Sequence, residues 1–197
     1  MTRRRQRRAP PDYKRLADVD LVQHARSELP YQTRAYEELM RRYENLLFSI
    51  CVRMVGNRQD AEDITQEVML KVFSKLSSFE GRAAIKTWLV RVTSNACKDW
   101  IKKQATSRQY TEALANEPQP DNEIRYAEDR LVGLLRELPD TDREVLTLRF
   151  VADLNLSEIA DLTDLSLSAT KMRLYRAVER LQQLALDTYG DELLVKE

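Results

Sequence analysis

Residues 167–181 read LSATKMRLYRAVERL, with Leu167, Thr170, Leu174, Val178 and Leu181 recurring at three- and four-residue intervals. That is the period of one helix face. At 100° per residue these five fall within an arc of roughly 80°. Lys171, Met172, Tyr175 and Arg176 occupy a neighbouring face, which Arg173 and Arg180 extend. The helix is therefore apolar on one side and basic on another. Alone, it suits a solvated surface as well as it suits a polyanion, so its neighbours decide.

Immediately upstream, Asn155 and Glu158 have capping-box spacing before the short apolar run IADLT. Asp164 then stands where a tight turn is needed, and Ser166 can cap the helix that follows. A short helix, a turn of a few residues and a longer basic helix make a helix-turn-helix. In that arrangement the second helix enters the major groove, its N-terminal residues near base edges and its cations near phosphates. DNA binding is thus expected for residues 171–176. Further back, Thr141 and Glu144 give another capping-box spacing before VLTLRFV, and Pro139 ends a helix expected over 123–138.

The N-terminal half repeats the helical period. LADVDLVQHARSEL reads as a short helix and TRAYEELMRRYENLLFSICVRMVG as a long one stopping at Gly56, where a positive φ is tolerated. Over 60–76, Ala61, Ile64, Val68, Val72 and Leu76 form an inward stripe, while Asp63, Gln66, Glu67 and Leu70 form a mixed acidic and apolar face. A third long helix, from about 84 to 103, turns Ile85, Trp88, Leu89, Val92, Ala96 and Trp100 inward. It turns Arg91, Ser94, Asn95, Lys98 and Lys102 outward. Together these helices can close one bundle of about 80 to 90 residues.

Between the halves, QATSRQYTEALANEPQPDN is polar and carries Pro118 and Pro120, which suits a linker. Extended, about 20 residues span up to roughly 70 Å. The expected fold is all-α: two small helical domains on a flexible linker, the C-terminal one a helix-turn-helix of winged-helix-like type. The expected layout is a basic arm over 1–15, a first domain over 16–104, a linker over 105–123, a second domain over 124–186 and a tail over 187–197. The arm either touches nucleic acid or stays solvated.

Charge is segregated beneath a net formal charge of +0. Lys86, Arg91, Lys98, Lys102, Lys103 and Arg108 face only Asp99, and an acidic segment over 112–129 follows. Cys51 and Cys97 sit in apolar helical patterns as free thiols, and no metal site or cofactor is expected. The one histidine, His24, has no partner at catalytic spacing, and a phosphate-cradling glycine loop is missing, so enzymatic activity is not expected. No apolar run reaches membrane-span length and the first residues lack a secretory apolar core, so a cytoplasmic protein without membrane insertion is expected.

Four stretches then resemble the extracytoplasmic-function sigma factors of bacterial RNA polymerase: NRQDAEDITQEVMLKVF at 57–73, FEGRAAIKTWLVRVTSNACKDWIKK at 79–103, LPDTDREVLTLRFV, and LSEIADLTDLSLSATKMRLYRAVERL. Their order and spacing cover nearly everything from about Tyr31 to Gln183. The resemblance implies that domain 16–104 is sigma region 2 and domain 124–186 sigma region 4, with core RNA polymerase and promoter DNA, duplex and single-stranded, as partners. It implies core-polymerase contacts for Asp60, Glu62, Asp63, Gln66 and Glu67. It assigns Glu80, Gly81, Arg82, Ala83, Ala84 and Ile85 to a loop that captures a flipped base of the -10 element. Asn95 would help to read that element while Arg91, Lys98 and Lys102 follow the strand. Trp88 stays open between core and stacking platform. Ser168, Lys171, Met172, Arg173, Tyr175 and Arg176 would meet the -35 element, Arg173 on phosphate.

Three positions depart from the family pattern. Asp164 stands where Gly is frequent, Thr170 where an apolar residue is usual, and Met172 where a small polar residue is frequent, which favours an apolar contact such as a thymine methyl. The wording LSATKMR is similar to an envelope-stress subgroup. The resemblance leaves room for a separate anti-sigma partner. The rival expectation is an autonomous helix-turn-helix regulator that binds duplex DNA as a dimer without polymerase.

Overall fold

The computed structural model describes residues 11–108 and 123–193. Residues 1–10, 109–122 and 194–197 lie outside the described residues, and with them most of the expected arm over 1–15 and linker over 105–123. Eight helices run in chain order among them: α1 (Asp18–Glu28), α2 (Arg34–Val55), α3 (Arg58–Lys75), α4 (Ile85–Arg108), α5 (Glu123–Glu137), α6 (Asp140–Leu146), α7 (Leu156–Thr163) and α8 (Leu167–Leu193). No strand occurs among the described residues. The fold is all-α, in two helical units.

In the N-terminal unit, α1, α3 and α4 pack around α2. Gly56 terminates α2 at φ 76, its N–H donating to the Val52 carbonyl at 2.8 Å. Asn57 then starts α3 by accepting from the N–H groups of Gln59 and Asp60 at 2.8 and 3.2 Å, so two helix ends are satisfied within two residues. The stripe Ala61, Ile64, Val68 and Val72 is buried as its spacing requires. Cys51 and Cys97 are buried free thiols, one on α2 and one on α4; the Cys97 thiol donates to Cys51 Sγ at 3.7 Å, which together with burial holds it well above the ordinary thiol range.

The C-terminal unit packs α5, α6 and α7 on α8, with a π-helical turn, Thr147–Val151, continuing α6. Thr141 does not box with Glu144 as its spacing suggests. Pro139 precedes α6 and its carbonyl accepts from the N–H groups of Asp142 and Arg143. Glu144 turns instead toward α4, because a hydroxyl and an ammonium there bind a carboxylate more strongly than a backbone amide does. Buried Arg143 donates to the carbonyls of Leu135 and Arg136 at the end of α5, the first of which also accepts from the Leu138 N–H, and pairs with Asp140.

Instead of hanging apart on a tether, the two units touch. Helix α2 also packs against α5, α6 and the π turn, and the buried apolar residues form one continuous cluster from Leu21 to Ala177. Arg136 lies so close to Gly56 that an added Cβ would sit 2.4 Å from its Cγ. Helix α8 continues to Leu193, past residue 186.

An ion network fixes the N-terminal edge. Glu38, buried on α2, accepts from Arg41 at 2.7 and 2.8 Å and from Arg42 at 3.1 Å. Arg42 continues to Asp18 of α1 at 2.7 Å and to the carbonyls of Tyr13 and Lys14, tying a short 3-10 turn (Tyr13–Arg15) and α1 to α2. The bonds from Arg41, with those from Arg42, overcome burial and push the Glu38 carboxyl down to about 2. Because the folded value lies below the unfolded one, this stabilisation is complete above the ordinary carboxyl range and fades as pH falls toward 2. Acid titration followed by circular dichroism should therefore show the melting temperature falling through that window, and Glu38→Gln should flatten this part of the profile while lowering stability at neutral pH.

Candidate nucleic-acid and polymerase interface

Helix α7, the turn at Asp164 and α8 form the helix-turn-helix. The capping box is complete: Glu158 N–H donates to Asn155 Oδ1 at 3.0 Å, and Asn155 N–H donates to Glu158 Oε2 at 2.9 Å. Asp164 takes the left-handed conformation at φ 55, filling the place where Gly is frequent. Ser166 Oγ accepts from the Ala169 N–H at 3.2 Å, capping α8. Thr170 is fully buried, and its hydroxyl donates to the Ser166 carbonyl at 3.0 Å, so a polar side chain occupies the inward stripe without an unmet bond.

The basic face of α8 is presented outward. Ser168, Lys171, Met172, Tyr175 and Arg176 are exposed, Met172 at 52% and Tyr175 at 59%. Arg173 is half-buried. Met172, Arg173, Arg176 and Arg180 line a cleft of about 360 Å³ with Ala169, Thr141 and Asp142. Buried Asp142 pairs with Arg180 and aims that guanidinium, a role hidden in a sequence where the two residues are 38 apart. The cleft can take an anion, and the Met172 and Tyr175 side chains offer apolar contact beside it.

Helix α4 is buried on more sides than its pattern suggests. Ser94, expected outward, is fully buried, because α6 covers it: its Oγ donates to Glu144 at 2.7 Å, and Lys98 Nζ lies 3.1 Å from the same carboxylate. Nearer the start of α4, Thr87 donates to Glu158 at 2.8 Å, Arg91 donates to the Asp161 carbonyl at 3.1 Å, and Lys86 lies 4.0 Å from Asp153. Asn95 and Lys102 are exposed. In the loop before α4, Glu80, Gly81, Arg82, Ala83 and Ala84 are exposed, and Glu80 pairs with Arg82 at 2.6 Å. Ile85 begins α4 and closes the core. Trp88 is half-buried, packed on Phe79 with ring centroids 5.3 Å apart.

On α3, Glu62, Asp63, Gln66 and Glu67 are exposed, with Asp60 half-buried at its start. Glu62 pairs with Arg58 at 3.1 Å, and Glu67 with Lys71 at 2.6 Å, a bond that lowers the Glu67 carboxyl below its ordinary range. Leu70 follows on this surface, 71% exposed, so the face is acidic with an apolar end. No group of three or more metal-ligating side chains occurs among the described residues, and no helix among them is long and apolar enough to cross a membrane.

The family model of sigma-70 region 2 matches residues 39–106, and that of sigma-70 region 4 matches 134–183. The RNA polymerase sigma factor SigV of Bacillus subtilis is 30% identical over 135 residues, covering 68% of this chain and 81% of that protein. The chain belongs to the ECF RNA polymerase sigma factors. Among other relatives, the ECF sigma factor SigW of Bacillus subtilis is 26% identical over 78% of the sigma factor and 90% of SigW, and the ECF sigma-E factor of Haemophilus influenzae is 27% identical over 76% and 86%. In fold, the sigma factor resembles CnrH solved with the cytosolic domain of CnrY, with a TM-score of 0.66 and 23% identity over 87% of this chain and 97% of that one. It also resembles RpoE solved with the anti-sigma factor NepR from Bartonella quintana, with a TM-score of 0.64 and 21% identity over 82% and 98%.

The sigma factor's region 2 match spans most of α2, all of α3 and most of α4, and its region 4 match opens near the end of α5. What sequence reasoning missed is the seam between them: Glu144, Asp153, Glu158 and the Asp161 carbonyl on one side, Lys86 and Thr87 on the other. Glu144 and Glu158 each sit at capping-box spacing, a local explanation that hides a long-range one. Asn155→Ala should remove the cap of α7 and destabilise the C-terminal unit by about 0.5 to 2 kcal/mol, with Asn155→Ser recovering most of the loss, as read by chemical denaturation.

Proposed function

We propose a division of labour among three faces of this sigma factor. The exposed cationic face of α8 beside its arginine-lined cleft carries the assignment: Lys171, Met172, Tyr175 and Arg176, with Ser168, read the -35 element in the major groove, while Arg173 and Arg180 hold phosphate. The acidic and apolar face of α3, Asp60, Glu62, Asp63, Gln66, Glu67 and Leu70, docks on basic and apolar groups of core RNA polymerase. The loop 80–84 with Trp88, Arg91, Asn95, Lys98 and Lys102 holds the opened -10 strand, whose unpaired bases need a pocket and a basic track outside the duplex stack.

In this scheme region 2 spans 16–104, region 4 spans 124–186, and the segment over 105–123 links them. The protein recruits and opens DNA in the cytoplasm, performing no chemistry of its own, and is held in check by a separate anti-sigma protein of an envelope-stress circuit. Purified protein mixed with bacterial core polymerase on a library of promoter fragments should initiate only when both are present. Specific duplex binding without initiation would defeat the proposal.

The faces should separate by mutation. Lys171→Ala or Arg176→Ala should weaken -35 binding by about 1 to 3 kcal/mol in gel-shift titrations and leave core polymerase binding intact. Asp63→Lys or Glu67→Lys should do the reverse.

A further inference from the structure

Both cysteines of the chain meet in one contact. Cys51 on α2 and Cys97 on α4 stand 46 positions apart in sequence, yet the Cys97 thiol donates to Cys51 Sγ at 3.7 Å. Each side chain is fully buried, and α2 packs directly on α4. An S–H aimed at a sulfur favours the thiolate there, so the Cys97 thiol holds Cys51 below the ordinary thiol range. The same bond, with burial, holds Cys97 well above it. One sulfur is thus prepared as the nucleophile, with the second already in contact with it. None of the three functional faces uses either thiol.

We propose that Cys51 and Cys97 are a reversible oxidation site, closed to a disulfide by a hydroperoxide and reopened by a thiol reductant, which staples α4 to α2. The Cys51 thiolate, its proton given to solvent, attacks a peroxide oxygen. The O–O bond breaks, Cys51 becomes a sulfenic acid, and the released hydroxide is protonated from solvent. Cys97 then attacks the Cys51 sulfur, the S–O bond breaks, and the departing hydroxide takes the Cys97 proton. With hydrogen peroxide, two thiols are oxidised to one disulfide and the peroxide is reduced to two molecules of water. A resolving thiol held in contact closes the disulfide before the sulfenic acid is oxidised further. Burial restricts the oxidant to a small molecule that arrives through local opening of the bundle.

The staple acts on the helix that this sigma factor is proposed to lay along the opened strand, and its effect on initiation rests on that assignment. A disulfide is about 2.05 Å long, so closure draws the sulfurs together by roughly 1.6 Å. Cys97 sits between Asn95 and Lys98, two of the side chains assigned to the -10 strand, and displacements of that size misplace such contacts. The α8 face contributes nothing to the staple and should not respond to it.

The experiment uses full-length protein, reduced and then freed of reductant, treated with a small molar excess of hydrogen peroxide. Catalase removes the peroxide before core polymerase is added. Cys51→Ala and Cys97→Ala, each checked for a cooperative melt, keep every methionine and so control for oxidation elsewhere. Thiols are titrated after denaturation, the intact mass and linked peptides are measured, and initiation is followed on a promoter selected from the fragment library. Affinity for a -35 duplex is read by fluorescence anisotropy.

Wild type is expected to lose both titratable thiols with its mass lower by two hydrogens, to yield a peptide pair joined between Cys51 and Cys97, and to remain a single chain. Its initiation should fall about tenfold and return with dithiothreitol, while its duplex affinity stays unchanged. Both alanine variants should initiate equally before and after peroxide. Folded wild type that keeps both thiols would overturn the site, as would thiols that end as sulfinic acids or as links between two chains. The staple is overturned if fully disulfide-bonded protein initiates as well as reduced protein, or if the alanine variants lose initiation to the same degree. Equal loss of -35 duplex affinity would also overturn it. Should one variant fail to fold, the other decides. Failure of the sigma reading is distinct, for reduced wild type would then support no initiation while mass and thiol titration still decide the disulfide.

Discussion

Helix α2 must bury its sides against both halves of the chain, and the rest of the structure follows from that demand. Against α1, α3 and α4 it forms the N-terminal bundle; against α5, α6 and the π turn it seats the C-terminal unit. A helix apolar over so much of its circumference has no stable solvated arrangement, so it recruits a second layer. Once α6 lies beside that bundle, Glu144 reaches Ser94 and Lys98, and Ser94 leaves the solvent face of α4 while Arg91, Asn95 and Lys102 stay exposed on it.

This placement gives the nucleic-acid surfaces unequal status. The α8 face is prepared by local devices: a complete capping box on α7, a left-handed turn at Asp164, a capping hydroxyl at Ser166 and an arginine held by Asp142. Each is satisfied within the C-terminal unit, so that face is complete whatever the other unit does. On α4, by contrast, the Ser94 hydroxyl and the Lys86, Arg91 and Lys98 cations meet groups from outside their own unit. Their surroundings are a property of the whole chain.

Buried polar groups in both units show why such arrangements are specific. Glu38 and Arg42 join three segments at the N-terminal edge, and Arg143 satisfies the end of α5. Each is a charge that would be costly without its partners, so it fixes one arrangement of the elements around it. The seam at Glu144 uses the same chemistry between units rather than within one.

The sequence by itself determined the all-α class, the long helices, the stop at Gly56, the capping box at Asn155, the turn at Asp164 and the outward basic face of α8. All depend on residues within a few positions of one another, where helical period and turn chemistry are legible. Three features needed the tertiary structure. Glu144 left its expected capping box because a partner 50 residues away binds it better, and Ser94 went from surface to core because another unit covers it. The reach of the linker composition, roughly 70 Å if extended, gave no sign that the units would touch. Local pattern fixes which side of a helix avoids water, but it does not say how many neighbours will come to cover it.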